Sequence, residues 1–172
     1  MELLDIMLKR RSTRKFNNKS VSNRELDKIL QSALLAPSSR NRKPCNFLVV
    51  DNKDVLEKLS KSKDFGANFL NQANKAIVVV VDALISDTWC EDASIALTYM
   101  HLMASDLGLG SCWIQIHLRS KDGVDSEEVV RNILKIDNHY RIVGILALGH
   151  SDDIPKPNSI EDIDKSKIHF IV

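Results

Sequence analysis

The sequence predicts a single domain of the α/β or α+β class, built around one sheet, and three observations point there. Its 172 residues suit one hydrophobic core that needs no disulfide or metal staple. Segments with helical and strand-like patterning are interspersed along the chain rather than segregated into halves. No internal repeat, low-complexity tract or Gly/Ser linker divides it. Composition agrees, since 44% hydrophobic and 27% charged residues is ordinary globular usage and excludes disorder or a collagen-like architecture.

Each element has a local reason. Ser22-Asn23-Arg24-Glu25 is a capping-box pattern. The apolar residues after it (Leu26, Ile29, Leu30, Ala33, Leu34) recur at helical spacing until Pro37 ends the run. Phe47–Val50 reads as a short buried strand. Residues 54–62 and, less sharply, 67–74 read as helices. Ala76–Val81 is continuous and mostly β-branched, as expected of a central strand covered on both faces. From Trp89 to Leu107 one apolar stripe (Ala93, Ala96, Leu97, Met100, Met103/Ala104, Leu107) steps at the helical period. A second stripe (Ile95, Tyr99, Leu102) lies on another face. A helix apolar on two sides must be buried on two sides, and in so short a chain the second side implies another subunit. Gly108 or Gly110 supplies its stop. Ser111–Ile116 and Ile142–Leu148 read as further strands, with a helix over 126–134 between them.

Several classes of protein are excluded early. The longest apolar run, Ala76–Val81, is far short of the roughly 20 residues a bilayer requires. Acidic residues precede the basic ones at the N-terminus, the reverse of a secretory signal, so the expected location is the cytoplasm. Cys45, Cys90 and Cys112 are odd in number and form no C-x-x-C, which argues against a disulfide framework or zinc knuckle. The five histidines lack metal-ligand spacing, and no nucleophile elbow, zinc-protease helix or Walker loop is present. The net charge of +1 hides an asymmetry. Residues 1–50 carry 11 basic and 4 acidic side chains, whereas residues 51–172 carry 13 and 19.

Three segments carry possible chemistry. Arg10-Arg11-Ser12-Thr13-Arg14 sets three guanidiniums beside two hydroxyls, a donor set that matches phosphate oxygens. A solvated basic helix end is the competing reading, equally weighted on charge alone. Ala36-Pro37-Ser38-Ser39-Arg40-Asn41-Arg42-Lys43-Pro44 is a polar loop whose Asn41 both donates and accepts. An ordinary Ser/Asn/Pro surface turn has the same composition. Gly108-Leu-Gly-Ser-Cys-Trp-Ile-Gln115 joins a helix stop to an apolar strand, where backbone N–H groups and Trp113 would suit a flat ring. It is not a dinucleotide fingerprint, because the third glycine and the preceding strand are missing. In isolation a helix stop followed by a core strand explains it better. Cys112 reads as a buried, inert thiol, and Glu91 with Asp92 suits a helix start.

Taken together and in this order, these segments resemble the nitroreductase family of FMN-dependent oxidoreductases. R-R-S-x-R-x-F stands as Arg10 to Phe16, and A-P-S-x-x-N-x-x-P as Ala36 to Pro44. The acidic-Ala helix stands as Glu91-Asp92-Ala93 and leads into Gly108 to Trp113. Gly149-His150 and Lys156 follow. The resemblance implies an α+β fold with a central mixed, mostly antiparallel sheet flanked by helices. It also implies two chains interlocked as a homodimer with FMN sites at the interface, and residues 151–172 as an extension on the partner subunit. Arg10, Ser12 and Arg14 would be the main FMN ligands of the first motif, with Arg11 alongside and Lys156 joining Arg10 at the phosphate. Pro37, Ser38, Ser39 and Asn41 would reach in from the second chain. Trp113, Ile114 and Gln115 would lie along the ring, with a backbone N–H near N5.

The implied activity is ping-pong reduction of nitroaromatics or quinones by NAD(P)H, with no side-chain nucleophile, no metal and no nucleic-acid or membrane partner. The alternatives are a flavin-binding or sensor protein without turnover, and a narrower redox reaction on the same fold. A nucleic-acid binder is disfavoured because Phe16 and Phe47 are the only aromatics among the basic first 50 residues. Three departures from the family pattern stand out. Lys43-Pro44-Cys45 replaces Q-P-W, Gln115 stands where some members have Glu, and the chain has little room for the helical excursion of larger members.

Overall fold

The computed structural model describes residues 2–153 and 155–171, so residues 1, 154 and 172 of the expected domain lie outside the described residues. In chain order the elements are α1 (Leu3–Lys9), α2 (Asn23–Leu34), β1 (Cys45–Val50), α3 (Lys53–Ser60), β2 (Lys75–Asp82) and α4 (Trp89–Asp106). They continue as β3 (Gly110–Gln115), β4 (Ser120–Lys121), β5 (Val124–Asp125), α5 (Ser126–Leu134) and β6 (Tyr140–Gly149). The fold is α+β. Its main sheet has the order β1-β2-β6-β3, and every pairing within it is antiparallel. A parallel bridge, Ser12 to Ser111, adds the N-terminal segment to the outer edge of β3 and makes the arrangement mixed.

Helices cover both faces of the sheet. The alternating residues of β2 separate accordingly: Ala76, Val78 and Val80 join α3, α5 and residues 67–73, while Ile77, Val79 and Val81 meet α2 and α4. Burial on both faces is why this run is continuously apolar. A bulge between Val79 and Val80 leaves Val143 of β6 unpaired with β2, and its carbonyl accepts Ile116 N–H (3.0 Å) and His117 N–H (3.2 Å) at the end of β3.

The capping box before α2 is present: Ser22 Oγ accepts Glu25 N–H (3.3 Å) while Glu25 Oε2 accepts Ser22 N–H (2.7 Å). The helix expected over 126–134 forms over those residues as α5. Two expectations are revised. β1 lies at the sheet edge and is only half-covered, with Val49 exposed and Val50 buried. Residues 68–72 form a 3₁₀ turn instead of an α-helix. There Ala67, Leu70 and Ala73 are fully buried, and burial every third residue is the 3₁₀ period.

α4 buries its first stripe through Ala93, Ala96, Leu97, Met100 and Ala104. Its second stripe is only partly covered, by α1. There Tyr99 is 40% exposed, and a cavity of about 370 Å³ opens among Leu3, Ile6, Met7, Tyr99 and Leu102. After β6 the described chain is an exposed arm with two 3₁₀ turns, Ile160–Asp162 and Lys165–Lys167. Among the described residues no helix is long and apolar enough to cross a membrane.

Candidate functional site

α4 ends sharply. Gly108 has φ +73°, Gly108 N–H reaches Ser105 O (3.1 Å) and Leu109 N–H reaches Ala104 O (2.8 Å), a Schellman stop. The chain therefore turns directly into β3. The N-terminal segment docks on the outer edge of that strand, with Thr13 N–H donating to Ser111 O at 2.9 Å. The approach requires a glycine opposite, because a Cβ on Gly110 would lie 2.7 Å from Thr13 Cγ2. Further contacts tie the same segment to the end of the chain. Asn17 N–H donates to His150 O (2.9 Å), Asn158 N–H to Leu8 O (3.0 Å), and the Arg11 guanidinium to the Lys156 carbonyl.

A cleft of about 390 Å³ results, lined by Arg10, Arg11, Thr13, Gly108, Gly110 and Ser111 together with Asp153, Pro155 and Pro157. Arg10 Nη1 lies 3.0 Å from Nε2 of His101 on α4, and His101 Nδ1 meets Ser111 Oγ. Burial, with Arg10 beside it, pushes the His101 pKa down to about 4.

β3 offers more than a wall. In an antiparallel strand alternate residues direct both backbone groups to the same side. Ser111 O takes Thr13 N–H and Gln115 O takes Lys63 Nζ (3.1 Å), so Trp113 between them also faces the outer edge. The Trp113 indole lies over Gly144, where a Cβ would come within 2.7 Å of Nε1, and donates to Gln115 Oε1 at 3.0 Å. Gln115 Nε2 in turn donates to His117 O at 3.0 Å. The Ile114 side chain is buried in the core, and by the same alternation its backbone groups face β6, where it pairs with Ile145. Arg14 is exposed, with its guanidinium carbon 5.9 Å from the Phe69 ring centre. Cys112 is buried, and burial raises its pKa against the lowering influence of Arg14 and Ser12.

The other predicted loop lies elsewhere. Pro37, Ser38, Ser39 and Asn41 sit at the N-terminal end of α4, where buried Asp92 accepts Ser39 N–H (2.8 Å) and the Ser86 hydroxyl (2.7 Å). Ser38 Oγ accepts Lys43 N–H at 2.8 Å. Arg40, Asn41 and Lys43 take φ of +51°, +55° and +48°, a left-handed cluster that three non-glycine residues adopt only when the surroundings impose it. Asp92 and His101 are nine residues apart on α4, or about 13 Å along its axis. The structure thus gathers Arg10, Arg11 and the Lys156 backbone at the cleft, with Ser12 bridged to Ser111 beside it, while Trp113 and Gln115 lie farther along β3 and the 37–41 loop lies at the other end of α4 from Arg10.

Sequence reasoning missed two residues beside the site and one buried anchor away from it. His101 lies behind Arg10, and Lys63 caps the β3 edge with its pKa lowered by burial and by Arg119. Glu127, 1% exposed, accepts Arg141 at 2.9 Å on each oxygen, Ile142 N–H at 2.9 Å and His117 Nδ1 at 2.7 Å. No periodicity or motif flags any of the three. Among the described residues no cluster of His, Cys, Asp and Glu is placed to hold a metal.

A fold of this architecture, with a basic cleft against an open strand edge, defines a class that sequence comparison specifies. Residues 7–64 and 61–150 match the nitroreductase family, and the chain belongs to that family of oxidoreductases. An FMN-dependent nitroreductase from Clostridium difficile R20291 has the same fold, with a TM-score of 0.95 and 42% identity over 97% of this chain and 98% of that one. An Archaeoglobus fulgidus protein, provisionally named NADH dehydrogenase/NAD(P)H nitroreductase, is 33% identical over 156 residues, covering 88% of this chain and 87% of the relative. A provisionally named nitroreductase from Desulfovibrio desulfuricans, solved with FMN, shares the fold at a TM-score of 0.79 and 22% identity, over 97% and 94% of the two chains.

Proposed function

We propose that this protein is a homodimeric, FMN-dependent oxidoreductase that uses NAD(P)H to reduce small electron-poor acceptors such as nitroaromatics or quinones. The observation that carries the reading is the cleft, where Arg10 and Arg11 open beside Gly110 and Ser111 at the start of β3, next to the Ser12–Ser111 bridge. A phosphate-bearing planar ligand fits that donor set: guanidiniums for the dianion and backbone groups for ring heteroatoms. Bound FMN would supply the hydride-accepting and hydride-donating chemistry.

The chain's own residues then divide the work. Arg10, with Arg11, Ser12 and Lys156, binds the phosphate. Arg14 places a fixed cation at the anionic edge of the ring, and Trp113, Ile114 and Gln115 line the ring. Donor and acceptor occupy one place in turn, so the kinetics are ping-pong.

The second subunit follows from the distribution of parts along α4. A two-fold axis across the middle of this helix would bring the 37–41 loop of one chain to the Arg10 cleft of the other. Pro37, Ser38, Ser39 and Asn41 then complete the site in trans. The partly uncovered Tyr99 stripe and the exposed Ile160, Ile163, Ile168 and Phe170 of the C-terminal arm supply apolar surface for that contact. On this reading residues 1–172 form one domain, and the arm from 151 packs on the partner. Three free cysteines suit a reducing cytoplasm.

Anaerobic titration of the purified, yellow protein with NADH and with NADPH tests the reading. At least one should bleach the flavin, and a nitroaromatic or quinone should restore it. A colourless protein that takes up no FMN refutes the proposal. A yellow protein bleached by neither nicotinamide favours a sensor without turnover or another electron donor. Arg10→Ala and Arg14→Ala should each weaken FMN binding by about tenfold or more, and unchanged affinity in both refutes the phosphate and ring-edge assignments. Gel filtration at monomer mass with FMN bound contradicts the shared site.

A further inference from the structure

We propose that His101 is a positioning residue that aims the Arg10 guanidinium into the cleft as a full, unneutralised cation for the anionic group of the ligand. The proposal rests on the FMN reading of the cleft. Its basis is a three-residue relay drawn from three elements: Arg10 just beyond α1, His101 on α4 and Ser111 on β3.

The chemistry of the partners fixes the protonation state. A guanidinium has only donors. The 3.0 Å contact from Arg10 Nη1 therefore makes His101 Nε2 the acceptor, and Nδ1 carries the proton that Ser111 Oγ accepts. His101 is 7% exposed and Ser111 2% exposed, so the imidazole is fixed from behind by a buried hydroxyl. The low pKa of His101, about 4, keeps it neutral at physiological pH.

That neutrality is the functional point. A carboxylate at this place would hold Arg10 equally well and cancel its charge. A neutral imidazole gives the guanidinium a directed acceptor and leaves the whole positive charge for the ligand. It also occupies one corner of the fork, which restricts the side chain's rotamers before binding and lowers the ordering cost of capturing an anion. Arg11 is held instead by the Lys156 carbonyl, another neutral acceptor, and the carboxylate that lines the cleft, Asp153, pairs with Lys15 at 3.2 Å rather than with either arginine.

The full-length protein, titrated with FMN and with riboflavin, separates this role from simple core packing, because riboflavin lacks the phosphate. His101→Leu should weaken FMN by about tenfold and move riboflavin by less than about twofold. His101→Gln, whose amide oxygen can accept from Arg10, should recover most of the loss. In an Arg10→Ala background His101→Leu should add nothing. Equal weakening of both flavins, or unchanged FMN affinity, overturns the proposal. Wild-type protein that binds neither flavin overturns the underlying FMN reading instead. Nitrogen-15 NMR of the wild-type imidazole gives an answer even if the leucine variant fails to fold. Nδ1 should be protonated and Nε2 bare at neutral pH, and a protonated Nε2 overturns the relay.

Discussion

Glu127→Gln should destabilise this protein by about 3 kcal/mol, and the size follows from its surroundings. The carboxylate is almost fully buried and holds α5 to β6 and to the segment after β3 through Arg141, Ile142 N–H and His117. Burial alone would raise its pKa. The paired Arg141 bonds, the Ile142 N–H and His117 override that and bring it from 4.5 down to about 2. A depression of that size corresponds to about 3 kcal/mol of preference for the ionised form, near the lower end of the cost of breaking a buried ion pair. The neutral amide forfeits that preference.

The sign is set by the direction of the shift. A lowered folded-state pKa contributes stability that is complete above the unfolded value, near 4.5, and is lost as the pH falls toward 2. Thermal denaturation followed by circular dichroism, at fixed protein concentration, reads both effects. At pH 7 the variant should melt lower by roughly 6–12 °C, and the wild-type advantage should shrink between pH 4.5 and 2. A variant within about 0.5 kcal/mol of wild type at pH 7, or a difference independent of pH in that window, refutes the reasoning.

Three further outcomes are expected. Asp92→Ala strands Ser39 N–H and the Ser86 hydroxyl, at a cost of about 1–3 kcal/mol, and should accelerate hydrogen exchange across residues 36–44; unchanged exchange there would show that the loop holds itself. Gly110→Ala forces a methyl against Thr13 and should cost about 1–3 kcal/mol in a melt, with Thr13→Ser recovering part by removing the clashing Cγ2; full stability of the single variant would place the N-terminal segment elsewhere. In native protein at pH 8 the thiols should react slowly with a disulfide reagent, because burial raises all three and pushes Cys45, beside Asp92, up to about 12. Rapid labelling of Cys112 before unfolding would contradict its burial.

Much of the fold was legible because its signals are local. The Ser22–Glu25 box, the β-branched run of β2 and the glycine after α4 each act within a few residues, so the chain order states them directly. The second apolar stripe of α4 was legible for the same reason, and Tyr99 is left part-exposed along it. The 3₁₀ turn at 68–72 was misread because Ala67, Leu70 and Ala73 fit a helical stripe nearly as well as a three-residue period. The site was half legible. Arg10, Arg11 and Ser12 announced themselves by composition, whereas His101, Lys63 and Glu127 look like ordinary surface or core residues.

The sequence by itself determined α2, α3, α4, α5 and the strands β2, β3 and β6, the stop after α4, and where positive charge collects. Those properties depend on backbone propensity and on spacing along one chain. Only the tertiary structure decided that Arg10 meets His101 across 91 positions, that Lys63 caps Gln115 across 52, and that the 36–44 loop lies at the far end of α4 from the cleft. Periodicity specifies that a face is buried, but the identity of what buries it is fixed when the sheet closes, the N-terminal segment docks on β3 and the segment after β6 docks on the N-terminal segment. The separation of loop and cleft along one helix belongs to that second kind of information, and it is what makes a single chain hold only half of its proposed site.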